Sequence, residues 1–378
     1  MLGGVADVVL PTENALRDLY ELKGPLAGAH SRSVEARHIE TGITFALREF
    51  HMAELTTTRL AQLRAAVTAW RKLDNPADEE AARFPRLHEV LASPTRLHVV
   101  CEISGPPGCC PVDLHTLIEQ RGRLAEADAR QIYARLVLAV KAAHDVGIAL
   151  RSIKPETIQV WQPPAGGWEV ALCDLFCAAT VDETEEDGNS LRGLCGTPEF
   201  CAPEVVLFFW ADRMAQPPPA YGPMADIWAL GICLHVMLCG CLPFDTSQAI
   251  AAAAAPSARP THPTPPTPSP PLRPSPSSLS HRLAPGTSAL QPEEDMLREI
   301  NAANFDFDDP GWAKISSDGR ELVKTLLARD ARDRLTVYGV LQHPFCAEDV
   351  NLAINTSRVS RLQSADFDQA LNLLDDDE

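Results

Sequence analysis

The side chains of this 378-residue chain that could do chemistry do not fall at disulfide or metal-ligand spacings. Its eleven cysteines are scattered and odd in number, with no CxxC pair. That pattern fits a reducing compartment, most of the thiols serving as small buried hydrophobes. The other reactive types gather in short strings. Leu150-Arg151-Ser152-Ile153-Lys154-Pro155-Glu156-Thr157-Ile158 brings hydroxyl, ammonium and carboxylate groups close together, and Asp174-Leu175-Phe176 follows. An ammonium donates to an anion, and a carboxylate accepts a proton or holds a cation. Which of these happens depends on the elements that position the strings.

Length and composition bound those elements. An apolar content of 45% excludes disorder throughout, and the length suits two packed lobes or domains. With 33 Lys+Arg against 51 Asp+Glu the net charge is −18. Phosphate backbones and anionic lipid surfaces are held by basic residues, so neither nucleic acid nor membrane is expected as a partner. The start, Met1-Leu2-Gly3-Gly4, shows no basic region leading into an apolar core, so no signal peptide is expected. The apolar run from Ile227 to Leu242 is short for a bilayer and contains His235; it reads as a buried helix. Localisation is expected to be intracellular, in the cytoplasm, with the nucleus left open.

Along the chain, residues 18–101 alternate short β-like runs, such as Leu97-His98-Val99-Val100-Cys101, with one helical stretch. That stretch carries Leu63, Val67 and Trp70 at helical spacing and ends before Pro76. From about 112 to 245 the pattern is mainly helical. Glu126 to Asp145 has Ile132, Leu136 and Val140 on one face and Gly147 as its stop. Residues 246–292 then change character. Of the 32 prolines, 12 lie between Pro256 and Pro292, beside Arg259, Arg273 and Arg282 and no acid. Such a stretch is expected to be a disordered loop. Periodic sequence resumes at Glu293, and the chain ends in an acidic tail.

Several strings together identify a pattern. Gly196-Thr197-Pro198-Glu199-Phe200-Cys201-Ala202-Pro203-Glu204 resembles the end of a protein-kinase activation segment. Asp226-Ile227-Trp228-Ala229-Leu230-Gly231 and Gly240-Cys241-Leu242-Pro243-Phe244 follow at kinase spacing. Trp312, Ile315-Ser316, Arg334 and His343-Pro344-Phe345 are similar to the last kinase helices. The resemblance covers residues 18–346, and its details, including Leu87-His88-Glu89-Val90, are nearest to the calcium/calmodulin-dependent group of Ser/Thr kinases. It implies an α+β, bilobal protein-kinase-like fold. A small β-rich N-lobe (18–101) and a larger helical C-lobe (102–346) follow an N-terminal extension (1–17). The Pro-rich insert interrupts the C-lobe at 246–292, and an acidic tail (347–378) comes last.

The resemblance also assigns positions for phosphoryl transfer, which needs a phosphate cradle, a clamped Lys, Mg²⁺ ligands and a carboxylate to orient the hydroxyl. Many are substituted. The glycines of the cradle fall on Ala27, Ala29 and Arg32, with Gly28 out of register. Arg48 stands at the ATP-binding lysine, and the Glu that should hold that lysine falls on Ala66. Ser152 occupies the position of the catalytic Asp and Thr157 that of the Mg²⁺-binding Asn, while Lys154 is retained. Asp174 keeps the metal-binding carboxylate, but Phe176 replaces the glycine after it. Around the nucleotide, Val34 and Ala46 match residues above the purine and Gln159 one below it. Glu102 is a further nucleotide-contact position, and Asp113 matches a ribose contact.

Architectural positions, by contrast, are kept. Leu87, Trp70, Leu175 and Leu150 match the family's stacked apolar column; Glu204 and Arg334 match its buried ion pair; Asp226 matches the anchor of the catalytic loop. Random decay would have struck both sets. The expectation is a pseudokinase that acts through protein partners, with ATP and Mg²⁺ bound weakly or not at all. The alternative is an unorthodox active kinase that transfers the ATP γ-phosphate to protein substrates. The acidic run Asp182 to Asp187 either imitates a phosphorylated loop near Arg151 or is a solvated face. The Pro-Thr run 263–268 is either a polyproline ligand or a passive linker. With only Arg358 and Arg361 against several acids in the tail, calmodulin binding is not expected.

Overall fold

The short β-like runs of the first hundred residues assemble into one six-stranded sheet. The computed structural model describes residues 6–26, 33–74, 83–105, 109, 111–164, 166–182, 184–185, 188–214, 216–244, 291–305, 307 and 310–355. Its first six strands are β1 (Val8–Val9), β2 (Tyr20–Pro25), β3 (Ser33–His38), β4 (Thr44–His51), β5 (Leu87–Ala92) and β6 (Arg96–Glu102). They lie in the order β1-β5-β6-β4-β3-β2. Helix α1 (Ala15–Leu19) precedes β2, and α2 (Thr57–Leu73) connects β4 to β5. Thr56 caps α2 by accepting from Arg59 N at 3.1 Å, and Arg71 and Lys72 in its last turn suit the helix dipole. Leu63, Val67 and Trp70, spaced for one helical face, are all buried.

The sheet contains a buried titratable group. His98 on β6 is 1% exposed, and its Nδ1 lies 3.6 Å from Glu49. Burial pulls its pKa below the usual 6.5, with Glu49 acting the other way. Between the lowered value and 6.5 the unfolded chain binds a proton that folded His98 does not, so stability rises with pH across that window. His98→Gln is therefore expected to flatten the loss of stability on acidifying below pH 6.5. Urea midpoints of both proteins from pH 5 to 8 check this; parallel curves would refute it.

The second half is helical, with short strands where its loops meet. It comprises β7 (Val112–Asp113), α3 (Leu114–Arg121), α4 (Glu126–Asp145), β8 (Ile148–Ala149), β9 (Ile158–Trp161), β10 (Glu169–Leu172) and β11 (Ala179–Thr180). Helices α5 (Pro203–Val206), α6 (Met224–Cys239), α7 (Gln291–Ala302), α8 (Ser317–Leu326) and α9 (Val337–Gln342) follow, then α10 over residues 347–355. α6 is the apolar helix seen in the sequence and is buried along nearly its whole length. Its C-terminal Gly240 has φ +77°, and a Cβ there would fall 2.0 Å from the Gly122 carbonyl oxygen, so only glycine fits. Trp228 of α6 stacks on Phe244 with ring centroids 5.6 Å apart. The α+β, two-part architecture is the one that the sequence resemblance implies.

Ordered elements extend on both sides of the expected boundaries. Within the extension 1–17, β1 pairs in parallel with β5, and Leu10 and Leu16 are buried in a small cluster with Tyr20, Ala36, Phe45 and Leu47. Asp7 ties this segment down by pairing with Arg71 of α2 while accepting from Val90 N at 2.8 Å. At the other end, α10 lies past the expected boundary at 346. Val350 and Ala353 are buried, and Asp349 accepts from Arg130 of α4 at 2.9 Å. Helix α7 begins at Gln291, inside the expected insert, because proline is tolerated in a first helical turn. The rest of the insert, the Pro-Thr run 263–268, Ala27, Ala29, Arg32, Arg358 and Arg361 lie outside the described residues. Among the described residues no helix is long and apolar enough to cross a membrane.

Candidate active site

A cleft opens between the sheet and the helical part. Leu26, Ser33, Ala46 and Arg48 line it from the first strands, and Cys101, Glu102, Ile103 and Ser104 from the end of β6. Glu156, Gln159, Cys173, Asp174 and Phe176 close its far side. The structure thus brings together five of the expected nucleotide positions: Ala46, Arg48, Glu102, Gln159 and Asp174.

Two other expected positions do not reach the cleft. β3 pairs with β4 so that Val34 stands opposite Leu47 and Ser33 opposite Arg48. Paired residues share a face, so Val34 lies with Leu47 on the side packed against the small cluster, and Ser33 faces the cleft. Asp113 is 1% exposed and caps α3; its carboxylate accepts from Thr116 N at 2.8 Å and Thr116 Oγ1 at 2.9 Å. A carboxylate committed to a helix start is not presented to a ribose.

Arg48 has aromatic neighbours where the family would place an acid. Its guanidinium lies 5.8 Å from the ring centres of Phe50 and Phe176, and α2 carries no acid along its length. Ala66 is fully buried. Phe176 meets Phe50 edge-on at 5.1 Å and Trp70 at 5.7 Å, so an aromatic side chain occupies the back of the cleft where a glycine would leave room. The expected apolar column, Leu87, Trp70, Leu175 and Leu150, is buried within the main core.

The loop from Leu150 to Thr157 is held rigidly from beneath. Asp226, 1% exposed, accepts from Leu150 N at 2.8 Å, Arg151 N at 2.7 Å and the His144 ring at 2.9 Å. These bonds secure Arg151 at φ +63°, a conformation rare for a side-chain-bearing residue. Asp174 shares it, at φ +59°. Thr157 Oγ1 accepts from Lys154 N at 3.2 Å and lies 2.9 Å from the Ser152 carbonyl and 3.0 Å from that of Lys154, each able to take its one proton. At 3% exposure, this hydroxyl is a brace of the loop. Ser152 and Lys154 border a smaller cavity on the other side of the loop, with Thr197, Phe200 and Tyr221. Arg151 lies over the Tyr221 ring at 5.7 Å, and among the described residues no acid of the 182–187 run pairs with it. Asp182 instead accepts from Thr184 N at 2.9 Å and Thr184 Oγ1 at 2.7 Å.

The sequence reading missed Ser33, Cys101 and Cys173 as cleft residues. Cys173 Sγ lies 3.1 Å from Ser104 Oγ, and burial pushes its thiol up to about 12. A signal existed for Cys101, which ends the β-branched run Leu97 to Cys101 on a strand whose faces alternate. Ser33 had none, because its face depends on strand pairing.

Comparisons with known proteins agree with this architecture. A family model described as the protein kinase domain matches residues 26–346. CBL-interacting protein kinase 21 of Oryza sativa subsp. japonica is 31% identical over 234 residues, 61% of this chain and 40% of that protein. Calcium/calmodulin-dependent protein kinase type IV of Mus musculus is 26% identical over 261 residues, 69% of this chain and 42% of that protein. A probable serine/threonine-protein kinase, fhkD, of Dictyostelium discoideum is 25% identical over 352 residues, 92% of this chain and 39% of that protein. The chain spans less than half the length of these relatives.

Proposed function

The chain belongs to the protein kinase domain family, and on that premise we propose that it is a pseudokinase, acting by binding protein partners rather than by phosphoryl transfer. The observation that carries this reading is a catalytic loop kept in shape with Ser152 at the position of its base and Thr157 at that of its second metal ligand. Asp226 still holds the backbone at Leu150 and Arg151, but Ser152 offers a hydroxyl where a base is needed. A serine hydroxyl does not accept a proton near pH 7, and a positioned base contributes about 10²–10⁴ in rate.

ATP and Mg²⁺ fit the residues present poorly. Asp174 offers one carboxylate, but the Thr157 hydroxyl at the second metal position is engaged with the loop backbone. Arg48 has two aromatic rings beside it and no acid from α2, and the net charge of −18 opposes a polyanion. The cleft's retained shape suits the chain to a binding role, and the chain's scattered cysteines fit a reducing compartment.

The competing reading is an unorthodox Ser/Thr kinase; it draws on Arg48 and Asp174 lining one cleft with Lys154 retained nearby. Transfer of radiolabelled phosphate from ATP to protein separates the two. The purified chain is expected to match its Asp174→Ala variant and to fall at least about 10²-fold below the ~1–100 s⁻¹ typical of kinases. Clear wild-type turnover that Asp174→Ala abolishes would overturn the pseudokinase reading.

A further inference from the structure

The cavity on the far side of the catalytic loop gathers positive charge that no acid answers. Arg151, Ser152, Lys154 and Thr197 border it, and among the described residues Asp226 is the one acid that does so. That carboxylate is already engaged, its oxygens taken by the amides of Leu150 and Arg151 and by the His144 ring. Glu204, on the segment beyond Thr197, is held at both oxygens by Arg334. Among the described residues neither Arg151 nor Lys154 forms an ion pair. Arg151 Nε is buried with no hydrogen-bond partner among them.

Two hydroxyls beside these cations are also uncommitted. Gly196, at φ +95°, runs so close to Arg151 that a Cβ on it would fall 2.5 Å from the Arg151 carbonyl oxygen. This approach sets Thr197 against the loop. The Thr197 carbonyl accepts from Phe200 N at 3.0 Å and Cys201 Sγ at 3.4 Å, which fixes its backbone. The Ser152 carbonyl is likewise held, 2.9 Å from the Thr157 hydroxyl. Neither the Ser152 nor the Thr197 hydroxyl is hydrogen-bonded among the described residues. Ser152, Lys154 and Thr197 are half-buried, so a ligand reaches them from solvent.

We propose that this cavity binds a phosphorylated serine of a protein partner. A phosphoserine carries ~2 negative charges at pH 7 and oxygens that accept hydrogen bonds. Arg151 answers it with a guanidinium fork, Lys154 with a point charge, and the two hydroxyls with donated hydrogen bonds. Ser152 decides the matter. A carboxylate at position 152 would place a negative charge beside the phosphate, whereas a serine hydroxyl donates to it. The net charge of −18 opposes a free polyanion and favours a phosphate carried among basic residues of a peptide. The proposal rests on the reading of the chain as a pseudokinase and adds the chemistry of its partner.

The test titrates the full chain, without ATP or Mg²⁺, against a fluorescent library of short peptides with phosphoserine at the centre and lysine or arginine among the flanks. The same library with serine at the centre is the comparison. The phosphoserine peptides are expected to bind at least about tenfold more tightly, the worth of one charge-assisted hydrogen bond. Ser152→Asp and Lys154→Gln should each remove most of that preference and leave binding of the serine peptides unchanged. Equal binding of the two libraries, or a preference that survives Ser152→Asp intact, would overturn the proposal. Inorganic phosphate binding as tightly as the phosphopeptides would overturn it too, because the cavity would then take a free anion. The wild-type comparison decides even where a variant fails to fold. Because no ATP is present, a failure here is separate from the phosphate-transfer result that judges the pseudokinase reading.

Discussion

Replacing Arg334 with alanine is expected to lower the unfolding free energy by about 3–5 kcal/mol, the range for a buried ion pair broken on one side. The Arg334 side chain is fully buried, and every nitrogen of its guanidinium is used. Nη1 donates to Glu204 Oε1 at 2.7 Å and the Met224 carbonyl at 3.0 Å, and Nη2 to Glu204 Oε2 at 2.7 Å and the Arg329 carbonyl at 3.1 Å. Nε donates to the Ala328 carbonyl at 2.9 Å, and the group lies 5.2 Å from the Trp228 ring centre. Alanine would strand the Glu204 carboxylate and three carbonyls together. Lysine keeps the charge but not the planar fork, so Arg334→Lys should recover only part of the loss. Replacing Glu204 and Arg334 together with leucine should cost less than Arg334→Ala alone, because no charge is then left single. Urea denaturation measures all three; a loss under about 1 kcal/mol for Arg334→Ala would contradict the argument.

The second large effect is expected at Asp226. Its carboxylate takes two backbone N–H groups and the His144 ring, so each oxygen is occupied. Asparagine has the same shape but a single acceptor oxygen, and its amide would point N–H at N–H. One buried donor is left unsatisfied and charge assistance is lost, a combined cost of about 2–4 kcal/mol. The damage should centre on Arg151, whose left-handed backbone persists only while its surroundings over-determine it. Hydrogen exchange at Leu150 and Arg151 in Asp226→Asn should therefore quicken more than in α4 or α6. Uniform quickening across the chain would show that Asp226 supports overall stability without a special role in the loop.

Helices with strong periodicity and clear stops were legible in the sequence. α4 runs from Glu126 to Asp145, as its apolar spacing and Gly147 indicated. The ion pair and the loop anchor were legible too, because they sit in strings of distinctive order. The edges were harder. Val8-Val9-Leu10 is a short apolar run whose strand partner, β5, lies some eighty residues away, and no local pattern announces such a pairing. α10 hid behind the acidic composition of the tail that follows it, although Val350 and Ala353 carry a helical apolar spacing.

At the site, residue identity and residue placement separate cleanly. The sequence by itself determined residue identity: Ser152, Ala66 and Phe176 stand at the positions that the kinase resemblance matches to a base, a clamping acid and a glycine. Those facts are local, and folding cannot supply a missing carboxylate. Only the tertiary structure decided which side chains meet. One step of register on β3 turns Val34 away from the cleft and Ser33 toward it, because a strand repeats every two residues. Asp113 is taken by a helix cap and Thr157 by the loop backbone, since buried polar groups accept whatever donors folding brings to them.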